Sequence, residues 1–198
     1  MSDRVFIVHG WDGFPEEGWF PWLKKEIEAQ GAAVFVPQMP HAERPTFGDW
    51  VPALSAAVGT PDERAFFVGH SIGCQTILRY LESLPMGQKV GGVVLVAPFL
   101  SVLTGLSEDD MTVAKPWLET PIDFSDVRRH APKSVCLFSD DDQFVPLENE
   151  TVFKEKLGCR TEIFKSMGHF SGSQGVTELP AALDALRGMM APRDARAE

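Results

Sequence analysis

Short apolar runs alternate along the chain with longer stretches in which apolar positions recur every three or four residues. The short runs have the length of buried strands and the longer ones the period of helices, so the pattern predicts parallel strands joined by crossover helices, an α/β fold class. Strands are expected at 4–8, 33–37, 65–68, 92–97, 134–138 and 161–164. The run 92–97 is nearly unbroken in its apolarity, as suits a strand covered on both faces. A helix is expected over about 18–30, where Trp19, Trp22, Leu23 and Ile27 fall at helical spacing and Gly31 supplies a stop. Others are expected near 47–58, 72–83, 148–157 and 179–190. The stretch 98–132, with several prolines and Trp117, has no clear period and reads as a lid or substrate loop. No repeat, low-complexity tract or linker interrupts the pattern, which implies one domain over 1–190 and a polar, frayed tail over 191–198.

Composition narrows the picture in a few places. A chain of 198 residues with 44% hydrophobic and 23% charged positions has an ordinary globular make-up and is long enough for a single core. The net charge of -10 argues against a nucleic-acid partner, which would require Lys and Arg to replace counterions along the phosphates. The apolar run at 5–8 is far too short for a signal-peptide core or a membrane span, so a cytoplasmic protein without a membrane partner is expected. Cys74, Cys136 and Cys159 are odd in number and lack metal-ligand spacing; they read as small buried hydrophobes, and no metal or other cofactor is called for.

The chemistry concentrates in three segments. Gly69-His70-Ser71-Ile72-Gly73 is a G-x-S-x-G sequence between an expected strand and an expected helix, the context of a nucleophile elbow. In such a sharp turn the serine is strained and closely packed, so glycines on either side leave room for neighbouring backbone. The turn lifts the Ser71 hydroxyl above the sheet edge at a helix start, where free N–H groups favour developing negative charge. A neutral serine hydroxyl is a weak nucleophile and needs a base and a group to orient that base. Asp142 and His169 supply them in the chain order Ser, Asp, His, each in a loop just past the carboxyl end of an expected strand. Asp140 and Asp141 are read as solvated loop residues or caps of the following helix, and Asp142 is preferred for its Asp-x-x-Val-Pro spacing. Gly168 would let the loop turn tightly enough to return the His169 ring towards Ser71.

Donors for an oxyanion are expected from the Ile72 N–H, directly after the nucleophile, and from the Trp11 N–H in the loop His9-Gly10-Trp11-Asp12-Gly13. Trp11, Phe14, Trp117 and Phe170 are candidates for an apolar acyl pocket, with burial in the core an equal competitor. Trp19, Trp22 and Trp50 read as core. His9 and His70 are assigned to packing and loop hydrogen bonds, and His41 and His130 to no role.

Taken in order, Trp22-Leu23-Lys24-Lys25, Met39-Pro40, Asp49-Trp50, the G-x-S-x-G segment, Asp141-Asp142-Gln143-Phe144-Val145-Pro146 and Gly168-His169-Phe170 resemble the small serine hydrolases of the retinoblastoma-binding protein 9 and YdeN-like group of the α/β-hydrolase superfamily. The resemblance covers nearly the whole chain. It implies a three-layer α/β/α sandwich with a mostly parallel sheet and a minimal cap or none, and hydrolysis of a small carboxylic ester through an acyl-enzyme. Gln143 stands where relatives commonly carry proline, and the Leu-x-Cys-x-Glu motif tied to retinoblastoma-protein binding is incomplete at Leu157-Gly158-Cys159-Arg160-Thr161, so that binding function is not carried over. Two further readings compete: an amidase, peptidase or thioesterase using the same three residues, and a hydrolase-like scaffold that binds a small molecule or protein without chemistry.

Overall fold

A computed structural model of the chain describes residues 2–190; the tail expected over 191–198 lies outside them. Six strands form one sheet in the order β2-β1-β3-β4-β5-β6, and every neighbouring pair runs parallel. They are β1 (Arg4–Val8), β2 (Ala33–Phe35), β3 (Ala65–His70), β4 (Gly92–Val96), β5 (Ser134–Ser139) and β6 (Arg160–Phe164). The central strands β3 and β4 are buried at every position, which explains why they read as unbroken apolar runs rather than as alternating ones.

Helices α1 (Phe20–Glu28), α2 (Phe47–Val58), α3 (Ile72–Glu82), α4 (Glu108–Glu119), α5 (Phe124–His130), α6 (Glu148–Leu157) and α7 (Pro180–Met190) complete the fold. Helix α1 packs on α7, while α3 packs on both α2 and α5, and α5 on α6, giving helical layers around the sheet in a three-layer α/β sandwich. Helix α3 is the most enclosed: Ile72 to Leu81 are all buried, including Gln75, Thr76 and Arg79.

The expected loop at 98–132 contains α4 and α5. Helix α4 buries only Ala114 and Trp117, so it has no apolar stripe to give it a period, and Pro116 lies within it. What starts it is a capping box: the Asp110 N–H donates to Ser107 Oγ at 3.1 Å and Asp110 Oδ2 accepts from the Ser107 N–H at 3.4 Å. Three buried side chains tie this segment to the body. Gln75 Nε2 donates to the carbonyls of Phe99 and Trp117; Arg79 Nη2 donates to those of Trp117 and Thr120; Asn149 accepts from the Leu100 N–H and donates to the Val102 carbonyl. Among the described residues, no helix is long and apolar enough to cross a membrane.

Candidate active site

The turn from β3 into α3 places Ser71 at φ 53°, ψ -121°, a backbone conformation that costs about 1–3 kcal/mol. Close packing holds it there. The Ser71 N–H donates to the Val96 carbonyl at 2.9 Å, and the Ser71 carbonyl accepts from the Cys74 N–H at 3.0 Å. A Cβ on Gly69 would lie 2.8 Å from the Cys74 backbone, and one on Gly73 only 2.4 Å from the Val8 carbonyl oxygen. Both glycines are therefore demanded by close approach of neighbouring chain.

Past the carboxyl end of β5, the three aspartates separate. Asp142 Oδ1 accepts from the N–H groups of Phe144 and Val145 at 2.9 and 3.0 Å, leaving Oδ2 2.8 Å from His169 Nδ1. The Asp142 side chain is 2% exposed and that of His169 12%. With the Nδ1 proton donated to this carboxylate, Nε2 remains the acceptor of the imidazole. Asp140 and Asp141 cap no helix. They accept from the N–H groups of Ser166 and Gly168, and Asp141 also takes the Ser139 hydroxyl at 2.7 Å, so both organise the loop that carries His169. The hydrogen bonds from Ser139 and Gly168 hold the Asp141 carboxyl below its ordinary range.

His169 is held from two further directions. Its N–H donates to Gln174 Oε1, and its carbonyl lies 2.7 Å from His70 Nε2. His70 is buried, and desolvation together with the neighbouring His169 pushes its pKa down to about 3. Its neutral ring therefore donates from Nε2 and props the His169 loop from below. His9 is likewise neutral and structural: burial lowers its pKa, Nδ1 faces the Gly10 carbonyl at 2.8 Å and Nε2 accepts from the Met39 N–H at 3.0 Å.

Ser71 and His169 line one cleft of about 560 Å³, and Trp11 and Ile72 line it too. The backbone N–H groups of Trp11 and Ile72 donate to no other group among the described residues. For Ile72 this follows from its place in the first turn of α3, where N–H groups have no intrahelical acceptor. The remaining pocket candidates lie elsewhere. Phe14 is 49% exposed and is not part of the cleft wall. Trp117 and Phe170 are buried in the core, where the Trp117 indole donates to the Pro45 carbonyl and the Phe170 carbonyl accepts from the Trp19 indole.

The apolar wall comes instead from Phe99, Leu103, Leu106 and Ala114, on the segment tied down by α3, and from Phe144, whose ring meets His169 edge-on at 5.2 Å. Asp12, Glu17 and Asp110 add carboxylates, and no Lys or Arg lines the cleft among the described residues. Glu17 was not legible as a site residue, since it lies in an aperiodic stretch before α1. Its carboxyl is half-buried, and desolvation raises its pKa against the opposing pull of His169. Among the described residues, no group of three or more His, Cys, Asp and Glu side chains is arranged to hold a metal ion.

A family model described as "Serine hydrolase" matches residues 5–188. The chain is 32% identical over 186 residues to the putative hydrolase YdeN of Bacillus subtilis (strain 168), covering 94% of this chain and 95% of that one. It is 24% identical over 192 residues to the serine hydrolase RBBP9 of Rattus norvegicus, covering 96% of each. The crystal structure of the B. subtilis ydeN gene product superposes with a TM-score of 0.89 at 29% identity, covering 96% of this chain and 100% of that one.

Proposed function

The chain belongs to the serine hydrolase family, and from that premise we propose that it cleaves a small carboxylic ester through an acyl-enzyme on Ser71, with His169 as base and Asp142 as its orienting acid. The observation that carries this reading is the 2.8 Å bond from His169 Nδ1 to a buried Asp142, made at the edge of a cleft that Ser71 also lines.

In the proposed reaction, the Ser71 hydroxyl attacks the ester carbonyl as His169 Nε2 takes its proton. The tetrahedral oxyanion is met by the N–H groups of Ile72 and Trp11, whose freedom from other partners supports that role. His169 then protonates the leaving alcohol, and the same base activates water to release the acid. Asp142 holds the tautomer that leaves Nε2 free, and Asp140, Asp141 and His70 hold the loop beneath it. The side chains of Leu103, Leu106, Phe99 and Phe144 would receive the apolar part of the substrate.

A fluorophosphonate probe tests the assignment directly. Native protein should label, and Ser71→Ala and His169→Ala variants that retain the native circular dichroism should not. Labelling that persists in folded Ser71→Ala would remove this serine from the mechanism. Turnover of matched ester, thioester and amide substrates by the native protein then decides the acyl class.

A further inference from the structure

Two of the three cysteines, which play no part in this chemistry, form a pair. Cys136 lies within β5 and Cys159 immediately precedes β6; their sulfurs are 3.2 Å apart and both are free thiols. The register explains the meeting. Cys136 stands opposite Thr161 in the parallel ladder, and Cys159, two residues earlier on the neighbouring chain, shares that face.

The two sulfurs are not equivalent. Cys136 is completely enclosed, whereas Cys159 is 6% exposed just before the edge strand β6, between the exposed residues Gly158 and Arg160. The hydrogen bond from Cys136 pulls the Cys159 thiol down, with help from nearby Lys154, while burial pushes Cys136 up. Cys159 is thus the outer sulfur with the greater thiolate character, and Cys136 a resolving thiol already in contact behind it.

We propose that Cys136 and Cys159 form an oxidisable dithiol, a modification site that a hydroperoxide closes to an intrachain disulfide. The Cys159 thiolate attacks one peroxide oxygen; the O–O bond breaks, sulfur loses two electrons, and hydrogen peroxide leaves Cys159 as a sulfenic acid and releases hydroxide. The Cys136 sulfur then attacks the sulfenic sulfur, the S–O bond breaks, and its oxygen departs as water with the Cys136 proton. In sum, two thiols and one hydrogen peroxide become one disulfide and two waters. Bond formation takes the sulfurs from 3.2 Å to about 2.05 Å. Cys74 supplies an internal control: it is fully buried in α3, its Sγ–H donates to the Val96 carbonyl, and burial raises its pKa.

The test uses the full native chain, freed of reductant, treated with hydrogen peroxide and then alkylated under denaturing conditions. Before alkylation, the disulfide should lower the mass of the peptides carrying Cys136 and Cys159 by two hydrogens; after it, the treated chain should carry one alkyl group, on Cys74, against three on the untreated chain, with Cys136 joined to Cys159 by peptide mapping; dithiothreitol should reverse both. In Cys136→Ser, or Cys136→Ala if the serine variant does not fold, a sulfenate-directed dimedone probe should mark Cys159. Peroxide-treated native protein in which both Cys136 and Cys159 are still alkylated would overturn the proposal. So would a cross-link through Cys74, or Cys159 recovered as sulfinate without cross-link. No arm depends on Ser71, so the outcome is independent of the esterase reading.

Discussion

Asp140, Asp141 and Asp142 occupy one turn but answer to different partners, and their substitutions should separate accordingly. Asp142→Asn presents the wrong partner to His169 Nδ1 and should lower kcat by roughly 10⁴ while the fold survives. Asp141→Ala leaves the His169–Asp142 bond intact and loosens only its loop; its kcat is expected within roughly tenfold of native, the cost of a slightly misplaced base. Steady-state ester kinetics on the two variants decide it, and equal losses would mean that the acid has been misassigned. His70 yields a prediction about stability. Its folded pKa is depressed to about 3 from 6.5, so as pH falls below 6.5 the unfolded chain takes up a proton that the native state refuses. The native state is therefore destabilised progressively from pH 6.5 towards 3, by about 1.4 kcal/mol per pH unit for this one group. His70→Gln retains a donor for the His169 carbonyl but removes the titration. Urea unfolding at pH 7, 6 and 5 should show its stability falling less steeply than native, by about half that slope between pH 7 and 6 and nearly all of it between 6 and 5, and parallel curves would show that native His70 accepts its proton.

At the scale of elements, the segment over the cleft depends on Arg79. Its guanidinium lies 4.6 Å over the Phe47 ring and donates to the carbonyls of Trp117 and Thr120, at the end of α4. Arg79→Met keeps much of the bulk and removes the donors; a loss of roughly 2 kcal/mol in urea unfolding is expected, with faster proteolysis within 98–120 and a raised KM from the loosened wall. Unchanged proteolysis would place the anchor elsewhere, at Gln75 or Asn149. The strands and the elbow were legible in the sequence because their causes are local: apolar runs for buried parallel strands, and glycines where backbone approaches within van der Waals distance. Helix α4 was not, because only Ala114 and Trp117 are buried along it and its one local signal is the Ser107–Asp110 cap. The cleft wall was misread for a related reason. An aromatic residue shows that it will be buried but not on which side, so Trp117 and Phe170 went to the core while Leu103 and Leu106, in a stretch without period, reached the cleft. The partners of Asp140 and Asp141 in the His169 loop, the N–H groups of Ser166 and Gly168, lie 26 and 27 residues away, a distance that no pattern within the acid loop can report.

For the ester cleavage proposed above, the charge of the whole molecule bears on which acyl groups the site would accept. The chain carries a net charge of -10, and the cleft continues that bias inward through Asp12, Glu17 and Asp110 without a lining Lys or Arg among the described residues. Asp110 is engaged with Ser107, but the Glu17 carboxylate has no hydrogen bond or ion pair among the described residues, and it stands where water is partly excluded and charges act at longer range. An ester bearing a terminal carboxylate therefore meets repulsion both on approach and once bound, whereas a neutral ester of the same shape meets neither. For such a matched pair, kcat/KM for the anionic member should be about tenfold lower or more at ~0.01 M salt. The gap should narrow towards ~1 M, where the Debye length falls from about 30 Å to about 3 Å. Glu17→Gln should narrow it further at low salt, because the removed charge lies inside the cleft and is the least screened. A gap that ignores both salt and Glu17 would mean that shape, not charge, selects the acyl group. A gap that responds to salt but not to Glu17 would place the selection on the outer surface, in diffusional approach rather than in the bound complex.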